Sequence, residues 1–108
     1  MITKTEVEKL LNSHENVVKE HPFGDETSVY KVDDKMFALM TNDKNPIRLS
    51  LRCDPKLSSV LREKYVEVMP GYHLNKKQWN TIVLSGQLKI DEIRGLITHS
   101  YDLAVKEN

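Results

Sequence analysis

The side chains best suited to chemistry lie in one short segment, where a Pro-Gly turn runs through two lysines to the only tryptophan. Tyr72 and Trp79 offer aromatic rings, Asn75 offers an amide, and Lys76 and Lys77 offer cationic groups. Aromatic rings stack on bases, and cationic groups displace the counterions of phosphates. The segment has no nucleophile and base at a recognisable spacing. It therefore predicts a surface that binds a polyanion rather than an active site.

The charge is unevenly distributed along a chain whose formal net charge is zero, from 16 basic and 16 acidic residues. Neutrality excludes a uniformly cationic nucleic-acid binder. Residues 44–77, however, carry eight basic and three acidic residues, a net charge of +5, whereas residues 1–43 carry five and nine, a net charge of −4. Such asymmetry is typical of a polyanion-binding face, although an ordinary solvated strand and helix surface has the same composition.

Length and composition bound the class of protein. A chain of 108 residues with 39% hydrophobic residues is the size of one domain, so a single domain over residues 1–108 is predicted. No run approaches the roughly 18 apolar residues of a membrane span, and the first residues do not resemble a signal peptide. The lone Cys53 cannot form an internal disulfide, which fits a reducing compartment. We therefore expect a cytoplasmic monomer without membrane association, in which Cys53 is a buried small hydrophobe.

Helix signals occur at three places. Thr3 and Glu6 form a capping-box pattern, Asp54 and Pro55 are a favoured helix start, and Asp91 begins the last helix. The predicted buried stripes are Val7, Leu10, Leu11 and His14, then Leu57, Val60, Leu61 and Tyr65, then Ile93, Leu96, Ile97, Tyr101 and Ala104. The exposed side of the second helix is expected to carry Lys56, Arg62 and Lys64. Gly95 lowers helix propensity by about 1 kcal/mol relative to alanine, which suggests a close packing contact there.

Strands are predicted at 28–32, 35–41, 47–53 and 79–84. The loops between the first three are short and polar, which favours antiparallel hairpins because a parallel crossover needs a dozen or more residues. The third strand alternates most regularly, with Arg48, Ser50 and Arg52 on the face opposite Leu49 and Leu51.

The element order is therefore α-β-β-β-α-β-α, which predicts a two-layer α+β domain with an antiparallel sheet and the helices on one of its faces. The other face is left free. Arg48 and Arg52 would lie on that face, and the loop before the fourth strand would add Lys76 and Lys77. If these cations converge, they form a patch that binds phosphates.

Four runs of the sequence resemble the MmcQ/YjbR family in the same order and spacing. They are HPFGDETSVYKVDDKMFAL at 21–39, LRCDP at 51–55, PGYHLNKKQWNT at 70–81 and HSYDL at 99–103. The resemblance implies a small bacterial domain of CyaY-like, frataxin-like topology, described as DNA-binding by analogy with a "double wing" module. The sequence departs from the family pattern in two places: Asp33-Asp34 stands where the hairpin often has glycines, and Gln78 where histidine is common. The two aspartates would repel phosphate, which moves the predicted contact away from the first hairpin.

The resulting hypothesis is a protein that binds double-stranded DNA mainly through phosphates. The candidate nucleic-acid-binding residues are Arg48, Arg52, Tyr72, Asn75, Lys76, Lys77 and Trp79. Structural roles compete with this assignment, because Trp79 at a strand start is often a core anchor and Asn75 often satisfies backbone groups in a turn. The alternative function is a protein-binding adaptor that uses the same exposed sheet face.

Catalysis and metal binding have little support in the sequence. His14, His21, His73 and His99 are scattered without metal-ligand spacing, and no phosphate-cradling glycine loop exists. The frataxin-like topology raises the question of iron, but the first-helix carboxylates do not share one dense ridge. We therefore expect no enzymatic activity, no metal site and no cofactor, and a structural role for His14.

Overall fold

Alternating helices and strands form along the chain in the computed structural model, which describes residues 2–42, 46–71 and 74–106. The elements in these residues are α1 (Lys4–Asn12), β1 (Val18–Glu20), β2 (Thr27–Val32), β3 (Lys35–Thr41), β4 (Arg48–Arg52), α2 (Pro55–Lys64), β5 (Val68–Pro70), β6 (Trp79–Val83) and α3 (Ile90–Lys106). The predicted α+β class and the four predicted strands are confirmed to within two residues at each end.

The strands form one antiparallel sheet in the order β1-β2-β3-β4-β6-β5. Its two edges, β1 and β5, were absent from the predicted element order. Each has only three residues, which is too short for an alternating pattern to appear, and β5 ends in Pro70. Only their pairing with longer neighbours makes them strands.

The three helices cover one face of this sheet, as predicted. Helix α3 packs across β2, β3 and β4, α1 packs against α3, and α2 lies beside β5. Their apolar stripes meet the sheet residues in one core, whose fully buried members include Val7, Leu11, Tyr30, Phe37, Met40, Leu49, Ile93 and Ile97. No helix in the described ranges is long and apolar enough to cross a membrane.

A β-bulge in β3 turns two consecutive side chains toward the helices. Tyr30 pairs with Ala38 while Lys31 pairs with Met36, so Phe37 is the extra residue. Both Phe37 and Ala38 are fully buried. The hydroxyl of Ser100 on α3 donates to the Phe37 carbonyl at 2.5 Å and accepts the Arg52 N–H at 2.8 Å. One helix side chain therefore joins β3 and β4 beyond the last pair of their ladder.

The two predicted helix caps are present. The Thr3 hydroxyl accepts from the Glu6 N–H while the Glu6 carboxylate accepts from the Thr3 N–H, so the capping box is complete. These hydrogen bonds hold the pKa of Glu6 below its ordinary value. The Asp54 carboxylate accepts from the N–H groups of Lys56 and Leu57 at the start of α2. Local sequence signals therefore determine where both helices begin.

Helix α2 buries most of the predicted stripe but not all of it: Leu61 and Tyr65 pack against the core, whereas Val60 does not. Val60 is 56% exposed, whereas Ser58 is buried and Arg62 is partly buried. Ser58 and Arg62 are four residues apart and share one side of the helix, so a polar pair faces inward in addition to these apolar residues. Gly95 was also expected to make a close contact, but an added Cβ there would meet nothing within 4 Å.

We predict that Tyr30→Phe stabilises the protein by about 1 kcal/mol, because the buried Tyr30 hydroxyl has no hydrogen-bond partner among the described residues. Burial, together with the negative charge of Glu8, raises the pKa of Tyr30 to about 12. Between pH 10 and 12 the folded protein keeps this proton while the unfolded chain loses it, so stability falls as the pH rises. The loss of stability between pH 7 and pH 11 is therefore expected to be smaller for Tyr30→Phe than for the unaltered protein. Urea unfolding at the two pH values measures it.

Tyr65→Phe is the matched control for this prediction. The Tyr65 hydroxyl donates to the Glu92 carboxylate at 2.5 Å, so its removal deletes a hydrogen bond and is expected to lower stability at pH 7. Equal losses in the two variants would show that the Tyr30 hydroxyl has a stabilising partner and would contradict the prediction.

Candidate nucleic-acid interface on the open sheet face

The face of the sheet turned away from the helices is called the open face. Because Leu49 and Leu51 point into the core, strand alternation places Arg48, Ser50 and Arg52 on the opposite side. Cross-strand pairing then assigns the remaining members in the centre of this face: Leu39 and Thr41 of β3, Met69 of β5, and Trp79, Thr81 and Val83 of β6. The predicted placement of Arg48 and Arg52 on one face is thus observed.

A trough crosses the middle of the open face. Leu39, Ser50, Thr81 and Met69 are successive cross-strand partners on four adjacent strands. The two central residues are small, and their hydroxyl groups are hydrogen-bonded at 2.8 Å and buried. The larger side chains on either side leave a cavity of about 380 Å³, which we call the trough, lined by Leu39, Thr41, Arg48, Ser50, Met69, Pro70 and Thr81.

Arg52 and Trp79 form the next row of the open face. The Arg52 guanidinium carbon lies 5.5 Å from the centre of the Trp79 ring, and its Nε donates to the Met36 carbonyl at 2.8 Å. Trp79 is only 5% exposed. Its rings are therefore not available to stack on a base, which corrects that part of the site prediction and favours a structural role for Trp79. Arg52 is tied to the sheet by the same contacts.

The turn at 74–78 carries the two predicted lysines. The Asn75 side-chain oxygen accepts from the Lys77 N–H at 3.0 Å, and the Asn75 carbonyl accepts from the Gln78 N–H at 3.1 Å. Asn75 thus shapes the turn, as the structural interpretation of this residue requires. Lys76 and Lys77 are exposed, and neither ammonium group meets a carboxylate in the described part of the chain. Tyr72 lies outside the described residues.

Arg62 holds this turn in place, a role that the sequence did not indicate. Its Nε donates to the Asn80 side-chain oxygen at 2.7 Å, and its Nη2 donates to the carbonyls of Trp79, at 3.1 Å, and Lys76. An arginine among exposed helix lysines gave no signal in the sequence. The prediction that Arg62 belongs to the solvated side of α2 is therefore wrong, because its guanidinium links α2 to β6.

The candidate cations lie on or beside the open face but do not form a single cluster. Arg48 is exposed, and within the described residues its guanidinium has no carboxylate partner. It lies four residues from Arg52 on the same strand, about 13 Å away, with the trough beside them. Arg52, Trp79 and the lysine turn lie toward one end of the open face, and Arg48 lies toward the other.

The tip of the β2–β3 hairpin is acidic. Asp33 and Asp34 are exposed and adopt φ values of 51° and 64°, the left-handed pair required by a two-residue type I′ turn. Aspartate tolerates this conformation better than most residues, which explains how the turn forms without glycine.

Cys53 and His14 both take part in packing or hydrogen bonding within the fold. Cys53 is 4% exposed, as expected for a small hydrophobe, and burial raises the pKa of its thiol. It borders a second cavity of about 270 Å³ between α2 and the end of α3. His14 hydrogen-bonds with Thr98 at 3.0 Å and packs on Tyr101, so it has the structural role that was predicted. No group of three potential metal ligands occurs among the residues that the structure describes.

Comparison with known proteins places this geometry in a family. The YjbR family model matches residues 12–103, which include every strand of the sheet and the whole open face. The chain belongs to the YjbR family. Among its relatives, the uncharacterised protein YjbR of Escherichia coli is 39% identical over 75 residues, which cover 69% of this chain and 64% of that protein. The chain therefore matches somewhat less than two thirds of the length of this relative.

Other comparisons extend over more of the chain. The uncharacterised Escherichia coli protein YbdF is 33% identical over 84 residues, 78% of this chain and 69% of that protein. The crystal structure of a Deinococcus radiodurans protein with the domain DUF419 superposes on this chain with a TM-score of 0.94 and 35% sequence identity. The match covers 99% of this chain and 81% of that protein's chain. A Pseudomonas syringae crystal structure has a TM-score of 0.79 and 27% identity, over 96% and 99%. The α+β fold is therefore common to this chain and the two solved structures.

Proposed function

We propose that this YjbR-family protein binds duplex DNA through phosphate contacts made by Arg48, Lys76 and Lys77. The observation that carries the proposal is the exposure of these three cations, none of which is neutralised by a carboxylate among the described residues. Arg48 is on the open face, and the two lysines lie in the turn that leads into β6. An exposed cation without an ion pair among the described residues can replace counterions along the DNA backbone.

Arg52 and Asn75 take supporting roles in this proposal. Arg52 is held by the Met36 carbonyl and the Trp79 ring. It therefore helps to hold the first residue of β6 in place, next to the lysine turn. Asn75 fixes the turn itself. Because Trp79 is buried, the proposed contact is with phosphates rather than with unstacked bases, which favours a duplex over a single strand.

We predict that Arg48→Gln/Lys76→Gln/Lys77→Gln weakens DNA binding strongly and flattens its salt dependence. Each lost phosphate contact lowers the slope of log affinity against log salt by about 0.9, so three contacts predict a decrease of about 2.7. The measurement is fluorescence anisotropy of a labelled duplex of about 20 base pairs at several salt concentrations.

A matched variant separates local contacts from net charge. Lys4→Gln/Lys9→Gln/Lys56→Gln removes the same charge from exposed positions on α1 and α2, in the helix layer. It is expected to keep most of the affinity and nearly all of the salt slope. Equal losses in the two triple variants, or no binding of the unaltered protein at low salt, would refute the proposal.

The adaptor alternative is favoured by one observation, the apolar character of the trough walls formed by Leu39, Met69 and Pro70. An adaptor would retain a protein partner from cell extract after nuclease treatment and would lose it in Met69→Lys. Recovery of nucleic acid alone would count against this function.

A further inference from the structure

The trough is a built feature of the sheet rather than a surface irregularity. Its floor is the buried hydroxyl pair of Ser50 and Thr81, and Leu39 and Met69 rise at either side in the same cross-strand row. This row spans four strands, about 14 Å. Small side chains between large ones on adjacent strands leave space that no other described residue fills.

The size of the trough fits a small molecule. Its volume of about 380 Å³ falls within the range of about 300 to 1,000 Å³ that is usual for ligand sites. A stable protein interface would need about 800 Å² of each partner's surface and so would have to include surface beyond the trough. The mixture of apolar walls with hydroxyl groups is also usual for sites that hold small ligands.

The charge of the trough indicates the ligand's polar group. Among the described residues, Arg48 is the single charged one that lines the cavity, and no carboxylate does. The Arg48 side chain is exposed and has no carboxylate partner in the described ranges. A planar guanidinium pairs with a carboxylate through two parallel hydrogen bonds, and one arginine balances one negative charge.

We propose that the trough binds a small apolar monocarboxylate, with its carboxylate on Arg48 and its hydrocarbon part against Leu39, Met69 and Pro70. This site shares Arg48 with the proposed DNA contact but does not include the lysine turn, and its test needs no DNA. The inference therefore stands or falls on ligand binding alone.

The test is a titration of the ¹⁵N-labelled protein with sodium octanoate, followed by amide chemical shifts. Saturable shifts are expected at the trough amides of Leu39, Thr41, Arg48, Ser50, Met69 and Thr81. Octan-1-ol has the same chain length without the charge and is expected to bind at least about tenfold more weakly. Shifts confined to the cavity beside Cys53, or equal affinity for the acid and the alcohol, would overturn the proposal.

Two variants test the two halves of the site. Arg48→Gln is expected to lower octanoate affinity about tenfold and to abolish the preference over octanol, whereas Arg94→Gln, at an exposed arginine on α3, is expected to change neither. Met69→Asp places a negative charge inside the trough at an edge strand and is expected to abolish binding. Its amide spectrum reports whether the fold is kept, and octanoate binding by a folded Met69→Asp protein would overturn the proposal.

Protein concentration supplies the last test. The trough amides are expected not to shift when the protein is diluted without ligand. If dilution moves the same amides that octanoate moves, a second copy of the chain covers the trough, and the small-ligand proposal is wrong.

Discussion

Arg62→Ala is expected to lower the free energy of unfolding by about 3 kcal/mol, the largest effect among the substitutions considered. The guanidinium donates to three oxygens, the Asn80 side chain and the carbonyls of Trp79 and Lys76. Asn80 is 2% exposed, so water would not readily replace the lost donor. A buried acceptor left without a partner costs more than the hydrogen bond contributed, which makes this loss large for a helix residue.

Urea unfolding followed by the fluorescence of Trp79, the only tryptophan, measures this effect directly. Arg94→Ala is the control, because Arg94 pairs with Asp91 one helical turn away and both side chains are exposed. It is expected to change stability by less than about 0.5 kcal/mol. Arg62→Lys keeps the charge but not the planar fork, so it should recover less than half of the loss. If Arg62→Ala matched Arg94→Ala, the guanidinium would have no role in holding the turn.

Gly71→Ala is expected to destabilise the protein by about 2 kcal/mol. A Cβ added at this position would lie 2.7 Å from the Trp79 Cβ and 3.2 Å from the Trp79 carbonyl oxygen. The Gly71 N–H also donates to that carbonyl at 2.9 Å, so the two backbone segments cannot separate without losing the bond. Since Trp79 is packed on Arg52, the strain is expected to appear as a shift in tryptophan emission as well as in the unfolding midpoint.

Gly95→Ala makes the same chemical change and is expected to have the opposite effect on stability. An added methyl group at Gly95 would meet no atom within 4 Å, and the position is inside α3. Alanine is favoured over glycine there by up to about 1 kcal/mol, so the variant is expected to be more stable. Destabilisation by both alanines would indicate a general intolerance of the fold, and stabilisation by both would show that the segment at Gly71 adjusts without cost.

The sequence predicted the elements that carry long periodic patterns. Helix α1 and its capping box, the α2 start at Asp54, and strands β2, β3, β4 and β6 all follow from residue alternation and cap chemistry. The placement of Arg48 and Arg52 on one face followed from the same alternation. These features depend on residues close to one another in the chain, which is why the order of amino acids is enough to predict them.

The features that were missed depend on contacts between distant residues. The trough needs Ser50 and Thr81 to meet across two strands and needs Met69 on a strand that only pairing creates. Arg62 was predicted to face solvent because its partners on β6 are about 18 residues away in the sequence. The sequence also could not decide whether Trp79 is a buried anchor or an exposed ring that stacks on bases. Helix α2 buries Ser58 and exposes Val60, because tertiary packing determines which side of the helix faces the sheet even where side-chain polarity predicts the opposite.

The short terminal strands restrict how the sheet associates with other chains. Strand β1 offers three residues for pairing, and β5 ends in a proline, which lacks the N–H that a neighbouring strand would accept from. Growth of the sheet by addition of a strand from another molecule is therefore disfavoured at both sides. Natural resistance to edge-to-edge aggregation follows, and any macromolecule that recognises this domain is expected to approach the broad surface of the sheet or the helices.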